Sequence, residues 1–204
     1  MIKKIINSFV NKIKFIYCQL IKRLRLLKYR FTFGSVGYGT KVSKQLILRN
    51  KRNIFLGKNV ILFPNSRIEL IDQYAGKYFK PRLVIGDNSQ IHQNCHITCA
   101  DSIKIGNDVI IVSNVTITDI IHPYDDPIKP INQQTIITQP VYIGDQSYLY
   151  NNVVILPGTN IGKHCVIGAN SLVKGKIPDY SIAVGNPAKV IKQYNFNSKV
   201  WEKV

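Results

Sequence analysis

Histidine is the side chain whose ordinary pKa lets it exchange a proton near neutral pH. The chain carries four of them among 204 residues: His92, His96, His122 and His164. His122 is followed by Pro123 and opens a stretch holding Asp125, Asp126, Pro127 and Pro130, residue types of turns and loops. Asp119 lies three residues earlier, where a carboxylate either orients an imidazole through its second nitrogen or sits solvated in a turn. His164, in Ile161-Gly162-Lys163-His164-Cys165-Val166, reads as an exposed turn residue. Cys18, Cys95, Cys99 and Cys165 show no paired CxxC spacing, so reduced thiols are expected, with Cys165 in the core rather than acting as a nucleophile.

The elements that must position these residues follow from a period of six. An aliphatic residue recurs at Ile143, Leu149, Ile155, Ile161, Ile167 and Val173. The period also runs through Ile85, Ile91 and Ile97, resumes after a two-residue slip at Ile105, Ile111 and Ile117, and shows weakly at Leu56, Leu62 and Ile68. Small or aliphatic residues such as Ser89, Cys95, Val109 and Cys165 sit four after it. Six is neither a helical nor a strand period; it marks a parallel β-helix in which each hexad makes one short side and one turn, and three close a triangular coil. The aliphatic residue points inward and stacks, and the glycine that often follows it is expected to take the corner conformation. The period breaks at residues 71–83 and 122–140, and such insertions are extruded as loops, often on the binding face.

Ahead of the repeat, residues 2–31 place Ile2, Ile5, Ile6, Phe9, Val10, Ile13, Ile16, Tyr17, Leu20, Leu24 and Leu27 at spacings of three and four, within roughly 140° of a helix. Lysines and arginines cover most of the remaining surface. The net charge is +17, yet residues 1–68 carry no acidic side chain while the rest of the chain is almost neutral. That asymmetry argues against a nucleic-acid partner, for which basic residues spread over the contacting face. An anionic membrane surface fits an amphipathic basic helix, and an apolar stripe at this spacing equally fits packing against the rest of the domain or a neighbouring subunit. No stretch is long and apolar enough to span a bilayer, and no cleavable signal peptide is evident, so a cytoplasmic, peripheral location is expected. The hydrophobic content of 45% excludes a disordered polypeptide. The expected organisation is a helical arm (1–33), a β-helix domain (34–193) and a short tail (194–204).

The six hexads, the segment Thr118 to Pro123 and the closing run Gly185-Asn186-Pro187-Ala188-Lys189-Val190-Ile191-Lys192 resemble the hexapeptide-repeat acyltransferases. The likeness covers residues 54–193 and is strongest to the galactoside and maltose O-acetyltransferase branch and the O-acetyltransferases of surface polysaccharides. It implies a mainly β fold, a left-handed parallel β-helix, assembled as a homotrimer with active sites between adjacent prisms.

By that resemblance His122 is the general base, taking a proton from a sugar hydroxyl as it attacks the acetyl thioester of acetyl-CoA. The family's cofactor positions fall on Asn151, Ala169, Lys174, Lys189 and Lys192, and its acceptor side on Asn94. Three positions depart from the pattern: Tyr148 and Tyr150 replace a common tryptophan and glycine, and Lys174 stands where threonine or serine is usual. The expected function is O-acetylation of a saccharide, part of a surface polysaccharide or a lipid-linked precursor, with no metal. Three alternatives stand beside it: N-acetylation of an amino sugar, a non-enzymatic membrane-docked scaffold, and a metal lyase in which His92, His96 and His122 form a zinc set across a subunit boundary, as in hexapeptide-repeat carbonic anhydrases.

Overall fold

The computed structural model describes residues 12–17, 20, 21, 24, 27–29 and 31–204. The chain coils as a left-handed parallel β-helix with three flat faces, one strand per face per coil. The first face carries seven strands, from Ser35–Val36 through Ile54–Leu56, Arg82–Ile85, Ser102–Ile105, Val141–Ile143 and Asn160–Ile161 to Lys176–Ile177. The second begins at Lys41–Val42 and runs up to Ser181–Gly185. The third holds Ile47–Arg49, Arg67–Leu70, His96–Cys99, Thr116–Thr118, Val154–Ile155 and Leu172–Val173.

The register explains the period. Ile91 lies over Ile111, Ile97 over Ile117, Ile105 over Ile143 and Leu149 over Ile167, all within 1% of complete burial. These columns form the interior, closed by the small-residue slots at Val109, Ser147, Cys165 and Ser171. The two-residue slip after Ile97 is a longer third-face strand, His96–Cys99, followed by Ala100 and Asp101 before the chain re-enters the first face.

The glycines do a different job from the one expected. Gly86 and Gly144 do not adopt positive φ; a Cβ on Gly144 would lie 2.5 Å from the backbone carbon of Gly162 one coil away, and one on Gly86 2.6 Å from that of Gly106. Close stacking of coils requires glycine there, and the left-handed corner falls two residues later, on Asn59, Asn88, Asp108, Gln146 and His164. A second corner is left-handed at Asn65, Asn94, Asn114, Asn152 and Asn170. Asparagine tolerates that conformation and its amide links successive coils: Asn114 donates to Asn152 at 3.1 Å and Asn152 to Asn170 at 2.9 Å.

Described residues between 12 and 32 are helical. The amphipathic reading holds for Ile13, Ile16, Tyr17, Leu20, Leu24 and Leu27, which form one stripe, each 49% to 65% exposed. Ile2, Ile5, Ile6, Phe9, Val10 and Cys18 lie outside the described residues. The helix joins the prism at its C-terminal end, where the Tyr29 hydroxyl donates to the Val42 carbonyl at 2.9 Å and the buried Phe33 packs edge-on against Tyr29. Residues 194–204, expected as a tail, instead extend the second face: Ala188–Asn195 turns back antiparallel on Ser181–Gly185 and is covered by Val200–Lys203. A paired hairpin closes the edge that the last coil leaves open.

Candidate active site

Both breaks in the period leave the prism at the same corner, after the third face. The first forms a hairpin pairing Gln73–Tyr74 with Lys77–Tyr78; the second begins with Ile120–Ile121 paired antiparallel to Ile137–Thr138. Together with the third face they enclose a cavity of about 380 Å³ lined by Arg67, Glu69, Ile71, Tyr74, His96, Thr98, Thr116, Thr118, Ile120, His122 and Ile136. His122 follows directly on the Ile120–Ile121 strand, is exposed on the cavity side, and meets the edge of the Tyr74 ring at 5.4 Å. A period-breaking loop places the imidazole; a hairpin from two coils below supports it.

Asp119 does not orient that imidazole. Its carboxylate is fully buried and accepts from the backbone N–H groups of Ala100 at 2.8 Å and Asp101 at 2.9 Å, and from the Cys99 thiol at 3.4 Å. These bonds tie the root of the His122 loop to the coil below, at the two-residue insertion of the repeat. Burial raises the Asp119 pKa, opposed by the backbone N–H groups. The three described thiols are buried too: burial pushes Cys95 up to about 11 and raises Cys99 and Cys165, so none of these is a ready nucleophile. Cys165 sits in the core and His164 at an exposed corner, as expected.

On the third face the outward residues form two rows. Arg67, His96, Thr116, Val154 and Leu172 stack in one; Glu69, Thr98 and Thr118 stack in the other, with the Thr98 hydroxyl donating to that of Thr118 at 2.9 Å. Glu69 is 8% exposed and ion-paired to Arg67. His96 carries a buried Nε2 that has no hydrogen-bond partner among the described residues, and burial followed by the nearby Arg67 charge lowers its pKa, which keeps the ring neutral at neutral pH. His92 points elsewhere, its ring packed on Phe63 at 4.6 Å. Within the described residues of one chain the three histidines of the zinc reading do not gather, and no group of three His, Cys, Asp or Glu is arranged to hold a metal.

Of the expected site residues, His122 alone lines the cavity. Asn94 occupies a left-handed corner one residue beyond Gln93, its backbone N–H donating to Pro64, and leads into the strand bearing His96. Asn151 and Ala169 stack in successive coils at the same corner, where the Asn170 N–H donates to the Asn151 carbonyl at 3.0 Å. Lys174 is exposed at the opposite edge of the third face, and Lys189 and Lys192 lie on the antiparallel strand closing the second. Sequence reasoning missed Arg67, Glu69, Thr98 and Thr118 as a set, although each sits one position from an inward isoleucine of the period, where a side chain must face outward.

Comparison with known proteins adds independent findings. The model described as bacterial transferase hexapeptide (six repeats) matches residues 140–175, and that for the hexapeptide repeat of succinyl-transferase matches residues 82–119. The chain is 37% identical over 163 residues to WbbJ of Escherichia coli (strain K12), named for O-acetyl transfer in lipopolysaccharide biosynthesis, covering 76% of this chain and 80% of the relative. It is 38% identical over 158 residues to a galactoside O-acetyltransferase of Lactococcus lactis subsp. lactis (strain IL1403), covering 76% of this chain and 70% of that one. Among solved structures, a galactoside acetyltransferase in complex with coenzyme A superposes with a TM-score of 0.59 at 25% identity, covering 86% of this chain and 74% of the other.

Proposed function

We infer, from the premise that this chain belongs to the hexapeptide-repeat acetyltransferases, that it carries an acetyl group from acetyl-CoA to a saccharide hydroxyl, and that the acceptor is a precursor of a surface polysaccharide. The observation that carries the reading is the cavity in which His122 stands opposite the polar third face.

Bound acetyl-CoA supplies an activated acyl thioester. His122 accepts the proton of the acceptor hydroxyl as its oxygen bonds to the acetyl carbon; the carbon–sulfur bond breaks, and the imidazolium returns the proton to the departing thiolate. No covalent bond to the protein is needed, because the thioester is already reactive and holding both substrates in one cavity removes most of the entropic barrier. Tyr74, packed on the imidazole, limits where the ring can swing. Thr116, Val154 and Leu172 form a continuous outward strip rising from the cavity, half-buried and largely aliphatic, suited to a pantetheine arm. Asn151 and Ala169 flank that strip, and Lys174, Lys189 and Lys192 lie toward its far end, where ammonium groups would meet the nucleotide phosphates. Asn94, at the corner beside His96, stands on the acceptor side. Asp119 acts through the loop it anchors rather than through the imidazole.

His122 is exposed in the single chain, and acyl transfer that excludes water needs a second wall. A neighbouring prism in a homotrimer supplies it. The apolar stripe and lysines of the N-terminal helix support a peripheral position on the inner face of the cell membrane, where lipid-linked glycans are assembled.

Thiol release from acetyl-CoA over a panel of mono- and oligosaccharides tests the reading. Acceptor-dependent release by the wild type, lost in His122→Ala, supports it; absence of release and of acetyl-CoA binding would sink it.

A further inference from the structure

Resting on that reading, we propose that Glu69 is an acceptor-specificity residue: its carboxylate binds one hydroxyl of the sugar that is not itself acetylated, and so selects sugars bearing a hydroxyl at that place. Acidic side chains avoid burial unless something holds them. Glu69 is the only buried glutamate among the described residues, and its partner Arg67 sits two positions earlier on the same outward side of the strand Arg67–Leu70. Both the Arg67 Nε and a terminal guanidinium nitrogen reach the same oxygen, Oε2. The other oxygen, Oε1, accepts no hydrogen bond among the described residues and keeps contact with solvent, in a residue that lines the cavity His122 overlooks.

A carboxylate oxygen is purely an acceptor, so what completes Glu69 must donate an O–H or N–H. The arrangement is local to this cavity. In the coil below, Arg49 occupies the register position of Glu69; in the coils above it is filled by Thr98 and Thr118, whose hydroxyls bond to one another. The row beside Glu69 therefore offers a free carboxylate oxygen followed by paired hydroxyls, running up the face toward the root of the His122 loop. A polyhydroxylated ring lying along this row presents several O–H groups at once, one to His122 for reaction and another to Glu69 for recognition. Arg67 is a positioning residue, since it holds Oε2 and thereby aims Oε1.

A site built to hydrogen-bond a substrate hydroxyl discriminates against the analogue that lacks it, because the bound ring displaces solvent from the carboxylate oxygen and then leaves it unpaired. The test compares kcat/KM of an accepted sugar with that of its monodeoxy analogues, in wild type and in Glu69→Ala, reading thiol release on the full-length protein. In the wild type one deoxy position other than the acetylated one should cost about 10-fold or more. In Glu69→Ala that ratio should collapse to about 1, with KM for acetyl-CoA unchanged. A ratio of sugars is insensitive to partial loss of folded enzyme. Should a melting curve show Glu69→Ala unfolded, Glu69→Gln keeps the volume and removes the charge, and the same ratio should fall to an intermediate value. An unchanged ratio in an active variant, or a wild type indifferent to every deoxy position, would overturn the role of Glu69 while leaving acetyl transfer intact. A wild type that releases no thiol with any acceptor would instead refute the acetyltransferase reading on which it rests.

Discussion

At the scale of single residues the proposed chemistry depends on His122, whose ring meets the edge of Tyr74 rather than a carboxylate. His122→Ala should lower kcat by about 100-fold or more, the loss expected when a positioned general base is removed, while leaving the KM for acetyl-CoA within a few-fold of wild type. Asp119→Asn should act on stability instead. It removes one of the oxygens that receive the Ala100 and Asp101 N–H groups, and leaving a buried N–H without a partner costs about 1 to 3 kcal/mol. The pH dependence has a definite sign. Because burial raises the Asp119 carboxyl above its ordinary value, its favourable contribution is complete below the unfolded value and declines as pH rises through the raised one. The melting-temperature gap between wild type and Asp119→Asn should therefore be widest in acid and narrow toward neutrality, and a gap that widens with pH would contradict the assignment. His122 was legible in the sequence because a histidine coincided with a break in the period. The task of Asp119 was not, because a spacing of three says nothing about which backbone N–H groups another coil brings to a carboxylate.

At the scale of elements, the stacked coil is the unit of stability. Each inward aliphatic residue touches its counterparts above and below, so Ile117→Ala, fully buried between Ile97 and Ile155, should cost about 2 to 5 kcal/mol in a denaturant titration. Gly144→Ala removes no contact and adds one methyl, yet that methyl would sit 2.5 Å from the Gly162 backbone. A loss of about 1 to 3 kcal/mol is expected, as for other overpacked sites, whereas a glycine needed only for a corner would show strain without a clash. The columns of isoleucine were readable from a period of six, since any chain that repeats at that interval must stack its repeats. The reason for the glycines was not readable, because sequence distinguishes neither a close approach between coils from a left-handed turn nor the asparagine corner from an ordinary polar loop.

At the scale of the whole molecule, charge and shape are divided between two parts of the chain. The β-helix presents the cavity, and the helical arm presents an uncovered apolar stripe among basic side chains; among the described residues no helix is long and apolar enough to cross a membrane. Removing residues 1–30 should abolish sedimentation with vesicles containing anionic lipid while leaving acetyl transfer to a soluble sugar within a few-fold of wild type. Binding of the full chain should weaken as salt is raised, because the Debye length shrinks from about 10 Å at 0.1 M to about 3 Å at 1 M. Vesicle binding unaffected by the deletion would remove the membrane role of the arm. The sequence by itself determined the β-helix, the position of the protruding loop and the histidine at its mouth, because all of these follow from a one-dimensional period and from where it fails. The tertiary structure alone decided that two insertions from different coils close one cavity, that Tyr74 rather than Asp119 meets His122, and that Glu69, Thr98 and Thr118 share a row. Those relations join residues about 20 or more positions apart through the registry of neighbouring coils, which no local spacing encodes.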